Sequence, residues 1–234
     1  MLTNQQIKFI RSLSLKKNRI KNKLFVVEGE KNVKEFINSE FEIDSVYSID
    51  ESFPNSIKVS NKELDRISHL KSANKVLALV KIPNYEFKNF GNLVVALDSI
   101  QDPGNLGTII RLCDWFGVKE IICSSDCVDQ YNFKVVQASM GSLSRVKLVY
   151  CDLQFQLNLM SDYIICSMAM NGSDISELKQ KEKSIIVLGN EGNGVSNEIL
   201  EKSQEIITIK KSINSQGESL NVANACAIAL FNFT

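Results

Sequence analysis

Four stretches of this chain are apolar with no polar alternation: "LVVAL" (93–97), "EIIC" (120–123), "YIICSMA" (163–169) and "SIIVLG" (184–189). A strand with one wet face alternates apolar and polar residues, whereas a strand without alternation is buried on both faces. Parallel strands also need crossover connections, usually helical. The pattern therefore predicts an α/β fold, a parallel sheet between helix layers. The crossovers are visible. "NLGTIIRLCDWFG" (105–117) places Leu106, Ile109, Ile110 and Cys113 at helical spacing and ends on Gly117. "NFKVVQAS" (132–139) and "SNEILEK" (196–202) read as helices, "KLVY" (147–150) and "IITI" (206–209) as strands. A last helix is expected from about Ser219 to Phe233.

The first third repeats the alternation on a smaller scale. "LFVVEG" (24–29), "IDSVYSI" (43–49) and "KVLALVKI" (75–82) read as strands, "EKNVKEFINS" (30–39) and "KELDRISHL" (62–70) as helices. Between the two regions lies "KIPNYEFKNFGN" (81–92), with Pro83, Gly91 and three asparagines, which reads as a linker. The expected division is residues 1–82, a linker at 83–92, and residues 93–234.

Composition narrows the function classes. No apolar run approaches the ~18 residues of a membrane span, and no secretion signal is evident, so a cytoplasmic protein without a membrane partner is expected. The six cysteines form no C-x-x-C and His69 is the sole histidine, so no metal site is expected. A Cys-His or Ser-His nucleophile would depend on His69, which has no suitable neighbour in sequence. Net charge is zero, yet residues 1–34 hold nine Lys or Arg against Glu28 and Glu30. That imbalance points to a polyanion, with Lys16, Lys17, Arg19 and Lys21 as candidate contacts to it. A solvated helix face is the alternative.

Ligands of open parallel sheets sit at the carboxyl ends of the strands. Three strands here end in unusual loops: "LDSIQDPGNLGTIIR" (97–111), "VLGNEGNGVS" (187–196) and "ITIKKSINSQGESLNVANA" (207–225). Neither a P-loop nor a dinucleotide fingerprint is present. Glu191, at the centre of the glycine loop, would repel a phosphate. A neutral or cationic ligand suits it better, and S-adenosylmethionine, which has a sulfonium and no phosphate, fits.

The same residues carry a resemblance. "LDSIQDPGNLGTIIRLCDWFGV", "SMGSLSRV", "IIVLGNEGNGVS" and "ESLNVANACAIAL" resemble, in order, the signatures of the SpoU (TrmH) branch of the SPOUT RNA methyltransferases, over residues 93–234. Residues 1–82 more weakly resemble its small α/β substrate-binding domain, itself similar to ribosomal RNA-binding proteins. The resemblance implies a parallel-sheet SPOUT domain with a deep trefoil knot and a homodimer formed through that domain. It implies S-adenosylmethionine as cofactor and methylation of a ribose 2′-hydroxyl in ribosomal or transfer RNA. It implies Asn105, Arg111, Glu191, Ser219 and Asn221 as catalytic residues. It assigns the cofactor to Met168, Ala169, Leu188, Gly189, Asn190, Gly192, Ile209 and Leu220.

A guanidinium is a poor base, so Arg111 is expected to clamp RNA phosphate and stabilise charge on the 2′-oxygen. Glu191 is expected to face Arg111 or the cofactor's cationic groups. Ser219 stands where a helix N-cap would fall. Lys210 departs from the family pattern, replacing a proline after the strand. A catalytically inactive RNA-binding dimer of the same fold and a Rossmann-type nucleotide binder are the competing readings.

Overall fold

A computed structural model describes residues 1–84, 90–178 and 183–234. The chain divides into two units: Met1–Glu86 with Asp129–Arg145, and Phe87–Val128 with Val146–Thr234. Of the expected linker, residues 85–89 lie outside the described part.

In chain order the first elements are α1 (Asn4–Ser12), α2 (Lys16–Asn22), β1 (Leu24–Glu28), α3 (Glu30–Ile37), β2 (Ile43–Ser48), β3 (Ile57–Lys58), α4 (Asn61–Ile67) and β4 (Val76–Lys81). Next come β5 (Leu93–Leu97), α5 (Pro103–Trp115), β6 (Glu120–Ser124), α6 (Phe133–Ala138), β7 (Lys147–Cys151) and α7 (Leu153–Leu159). The last are β8 (Ile164–Asp174), β9 (Ser184–Leu188), α8 (Asn197–Leu200), β10 (Glu205–Thr208) and α9 (Val222–Phe233).

The first unit is built on a mixed sheet ordered β1-β4-β2-β3. Its core joins Ile7, Ile10 and Leu13 to Leu64 and Ile67 of α4 and to Leu77 and Leu79 of β4. The basic N-terminal segment forms two helices, α1 and α2. Thr3 opens α1 with a reciprocal capping box to Gln6. The segment Asp129–Arg145 belongs to this unit by close packing. Tyr131 lies 4.5 Å from Phe25, ring centre to ring centre, and Asp129 binds Arg19 at 2.5 Å.

The second unit holds a six-stranded sheet, β10-β8-β9-β5-β6-β7, parallel at every pairing. The unbroken apolar runs are its buried strands: β9 is buried throughout, as are Val94–Leu97 and Ile121–Ser124. Leu97 pairs with Leu188 on one side and Cys123 on the other. The carboxyl ends of β5, β6 and β9 are therefore level, and their loops emerge together. Five of the six cysteines are buried thiols inside these layers, as apolar surroundings favour.

Two of the expected elements, β8 and the last helix, differ in extent from expectation. β8 runs on to Asp174, and its pairing with β10 jumps. Ser167 sits opposite Ile206 and Ser173 opposite Ile207, so Met168–Gly172 leave the ladder. A Cβ on Gly172 would stand 2.5 Å from the Ile206 carbonyl oxygen, which only glycine tolerates. The final helix starts at Val222, capped by Asn221, three residues later than expected.

Candidate active site

α5 begins directly behind the carboxyl end of β5, and its start organises the site. Asp102 is the N-cap, accepting the Asn105 N–H at 2.8 Å, and Pro103 follows at a position that needs no donor. The freed backbone N–H groups ahead of the helix turn to Glu191. Gln101 donates to Glu191 Oε2 at 3.3 Å and Asp102 to Oε1 at 3.2 Å. Asn105 Nδ2 donates to the same Oε1 at 3.0 Å. Partial burial pushes the Glu191 carboxyl upward, but these donors, Asn105 first, outweigh it and hold the group below the ordinary carboxylate range. The N-terminal end of a helix favours an anion in the same way.

Asn105 is fixed from its other side too. Its Oδ1 accepts from Asn221 Nδ2 at 2.9 Å, and Asn221 in turn caps α9 through the Ala223 N–H at 2.9 Å. The chain Asn221–Asn105–Glu191 thus joins all three loops singled out in the sequence. It settles the Asn105 amide orientation and leaves one amide proton for a ligand.

The glycine loop is shaped by its own backbone. Asn190 and Gly194 exchange two hydrogen bonds of 2.9 Å. Asn190 Oδ1 accepts from Gly192 and Asn193, and its Nδ2 reaches the Ser99 carbonyl at 2.7 Å. A Cβ on Gly189 would lie 2.0 Å from the Gly194 carbonyl carbon and the Val195 nitrogen. Glycine is therefore required at 189 by the turn itself, before any ligand arrives. Asp98, buried after β5, ties down the loop's exit through the Ser196 N–H at 2.8 Å.

The other candidates are placed as follows. Leu188 closes the buried strand β9, and Gly192 is exposed on the loop. Met168 and Ala169 begin the segment that leaves the β8 ladder, partly open to solvent, and Ile209 directly follows β10. Lys210–Asn221 are exposed throughout, so Ser219 and Leu220 stand in open loop. Ser219 is not the cap expected for it, because Asn221 fills that position. Lys210 is paired with Asp174 at 3.1 Å and Glu177 at 3.5 Å, which anchors the loop where a proline would have stiffened it.

Arg111 lies six residues beyond Asn105, roughly 9 Å along the helix axis and about 120° around it. It is exposed and has no side-chain partner among the described residues. Glu191 consequently faces Asn105 and the start of α5 rather than Arg111, a correction to the expected pairing. Lys16, Lys17 and Lys21 are exposed in and beside α2. Arg19 is not available to RNA. It is 3% exposed, bound to Asp129 and to the Leu13 and Ser14 carbonyls at 2.8 Å. Asp102 is a further site residue, and its sequence signal is Asp-Pro before an apolar-periodic run, a helix-start signature.

No group of three or more potential metal ligands occurs among the described residues, and no helix there is long and apolar enough to cross a membrane.

Comparison with known proteins adds to this geometry. Residues 92–231 match the SpoU rRNA Methylase family, and residues 4–78 match the MRM3-like substrate binding domain. The chain is 28% identical to the 23S rRNA (guanosine(2553)-2'-O)-methyltransferase RlmP of Bacillus subtilis (strain 168), over 98% of this chain and 96% of that protein. A solved TrmH-family structure from Porphyromonas gingivalis superposes with a TM-score of 0.89 at 31% identity, covering 100% of this chain and 98% of the other. An AdoMet-bound rRNA methyltransferase from Sinorhizobium meliloti superposes with a TM-score of 0.88 at 25% identity, covering 99% and 95%.

Proposed function

The chain belongs to the SpoU rRNA methylase family, and on that premise we propose that it methylates a ribose 2′-hydroxyl in ribosomal RNA, with S-adenosylmethionine as methyl donor. The observation that carries the reading is the Asn221–Asn105–Glu191 chain, which links three loops at the carboxyl end of a parallel sheet. The residues present fit the donor. Residues 187–196 contain no lysine or arginine, Glu191 is held ionised, and the backbone at Gly194 is open. That is a setting for a cationic, phosphate-free group. The full-length relative named for a 23S guanosine supports ribosomal over transfer RNA.

S-adenosylmethionine supplies a methyl group on a positive sulfur. When bound, it would let an O–CH3 bond form as the S–CH3 bond breaks, releasing the neutral thioether product and passing the hydroxyl proton to water. Asn105, held between two partners, presents its remaining amide proton to the ribose. Arg111, free and cationic, binds RNA phosphate and stabilises charge on the 2′-oxygen. Asn221 brings the third loop to the same place through Asn105, and Ser219, exposed two residues before it, reaches the bound substrate. Leu188, Gly189, Asn190, Gly192, Ile209, Leu220, Met168 and Ala169 line the donor. Lys16, Lys17 and Lys21 bind RNA phosphates.

The reading includes a trefoil knot within residues 93–234, sequence domains at 1–82 and 93–234, of which the latter lends residues 129–145 to the first unit, and a cytoplasmic homodimer. An exposed apolar face supports the dimer. Trp115 is 84% exposed, one turn beyond Arg111 on α5, and Phe231 is 75% exposed on α9, which packs against α5. Calorimetry with S-adenosylmethionine and mapping of alkali-resistant ribose linkages in ribosomal RNA, with and without the gene, test the proposal. Loss of one 23S guanosine methylation is the expected result. Binding without any lost methylation would favour the inactive RNA-binding dimer.

A further inference from the structure

Four residues at the end of β6 and just after it, Ser124, Asp126, Cys127 and Val128, grip the segment that leads into α5. The Ser99 N–H donates to Ser124 Oγ at 2.8 Å, and Ser124 Oγ donates to Asp126 Oδ1 at 2.6 Å. Ser99 Oγ donates to Asp126 Oδ2 at 2.5 Å. Gln101 Nε2 donates to the Asp126 carbonyl at 2.7 Å, and Ile100 N–H to Cys127 Sγ at 3.2 Å. The Val128 N–H reaches the Ile100 carbonyl at 2.8 Å. All these groups belong to the second unit.

The gripped segment is the one that holds the glycine loop. The Gln101 and Asp102 N–H groups bind Glu191, and the Ser99 carbonyl binds Asn190. Ser99 itself has φ +61°, a left-handed conformation that a non-glycine residue adopts only when surrounding contacts impose it. Its side-chain bond to Asp126 and its N–H bond to Ser124 are those contacts. None of the turn residues 124–128 lies in the three loops of the site.

We infer that Asp126 is a positioning residue for the methyl-transfer site: through Ser124 and Ser99 it holds residues 99–102 in the one backbone conformation that orients Glu191 and Asn190. The inference rests on the cofactor assignment of the glycine loop for its effect on binding. The conformational effect stands apart from that assignment. Asp126 lies outside the three loops assigned to the donor and acts through Ser124 and Ser99. Its carboxylate works because it accepts from two hydroxyls at once, which pins Ser99 against its own backbone preference.

The test compares the full-length protein with Asp126→Ala and with the double variant Asp126→Ala, Ser99→Gly. Hydrogen exchange at Gln101 and Asp102 is measured without ligand, and S-adenosylmethionine affinity by calorimetry. Asp126→Ala should speed exchange at these two amides about tenfold, leave β5 and β9 protected, and weaken donor binding at least about fivefold. Glycine at 99 removes the cost of the left-handed backbone, so the double variant should regain most of that affinity. Unchanged exchange in Asp126→Ala overturns the inference, whatever the donor does. Faster exchange with no recovery in the double variant overturns the route through Ser99. Absence of donor binding in the unaltered protein refutes the cofactor assignment instead, and the exchange data still decide the role of Asp126.

Discussion

Glu191 is the anion of the site, and three donors from Gln101, Asp102 and Asn105 hold it. Because its folded pKa is depressed, its contribution to stability is present above the ordinary carboxylate value of 4.5 and is lost as pH falls through the lower folded value. A carbon-13 titration of the Glu191 side chain should therefore give a midpoint below 4.5, and Asn105→Ala should move it upward. A midpoint that ignores Asn105 would break the proposed chain. Gly189→Ala should abolish donor binding through the loop's own backbone, because its Cβ would meet Gly194 and Val195 at 2.0 Å. Destabilisation of roughly 1–3 kcal/mol, read by denaturant unfolding, should accompany it. The residue types of this site were legible in the sequence, since glycines around an acid exclude a phosphate. Their pairings were not. Asn105 and Glu191 are 86 positions apart, and only the parallel register of β5 and β9 makes them neighbours.

Among the elements, α9 separates two residues that the sequence treats alike. Asn221 both caps the helix and binds Asn105, whereas Ser219 does neither. Asn221→Ala should cost about 1 kcal/mol of stability, the usual price of a lost cap, together with turnover. Ser219→Ala should leave the thermal midpoint unchanged and lower turnover alone. Equal stability losses in the two variants would return the cap to Ser219. The buried strands were the plainest elements in the sequence, because double-sided burial writes itself as an unbroken apolar run. α7 shows why others were hidden. Its Leu153, Phe155, Leu157 and Leu159 alternate with a strand-like period, yet only Leu153 and Leu157 are buried, while Phe155 and Leu159 face outward. The two exposed side chains mask the helical pair spaced by four.

For the molecule as a whole, the N-terminal cations divide into two kinds. Replacing Lys16, Lys17 and Lys21 by Gln should weaken RNA binding and make its salt dependence shallower by about 0.7 per lost single-strand phosphate contact. Donor affinity should be untouched. Arg19→Gln should behave differently. Removing one member of a buried pair costs about 3–5 kcal/mol, so this variant should show a lowered melting temperature in circular dichroism. A stable Arg19→Gln protein with weakened RNA binding would restore Arg19 to the RNA surface. Charge density in the sequence could not distinguish these roles, because the partner, Asp129, arrives 110 residues later.

That late arrival sets a timetable for synthesis. The first unit draws Asp129, Tyr131 and α6 from a stretch the ribosome makes only after β5, α5 and β6. At about 5–20 residues per second, the nascent first unit waits several seconds with the Tyr131-facing side of Phe25 and the Arg19 guanidinium uncovered. A fragment ending at residue 84 would remain in that unfinished state indefinitely, and supplying residues 129–145 as a separate peptide should complete it.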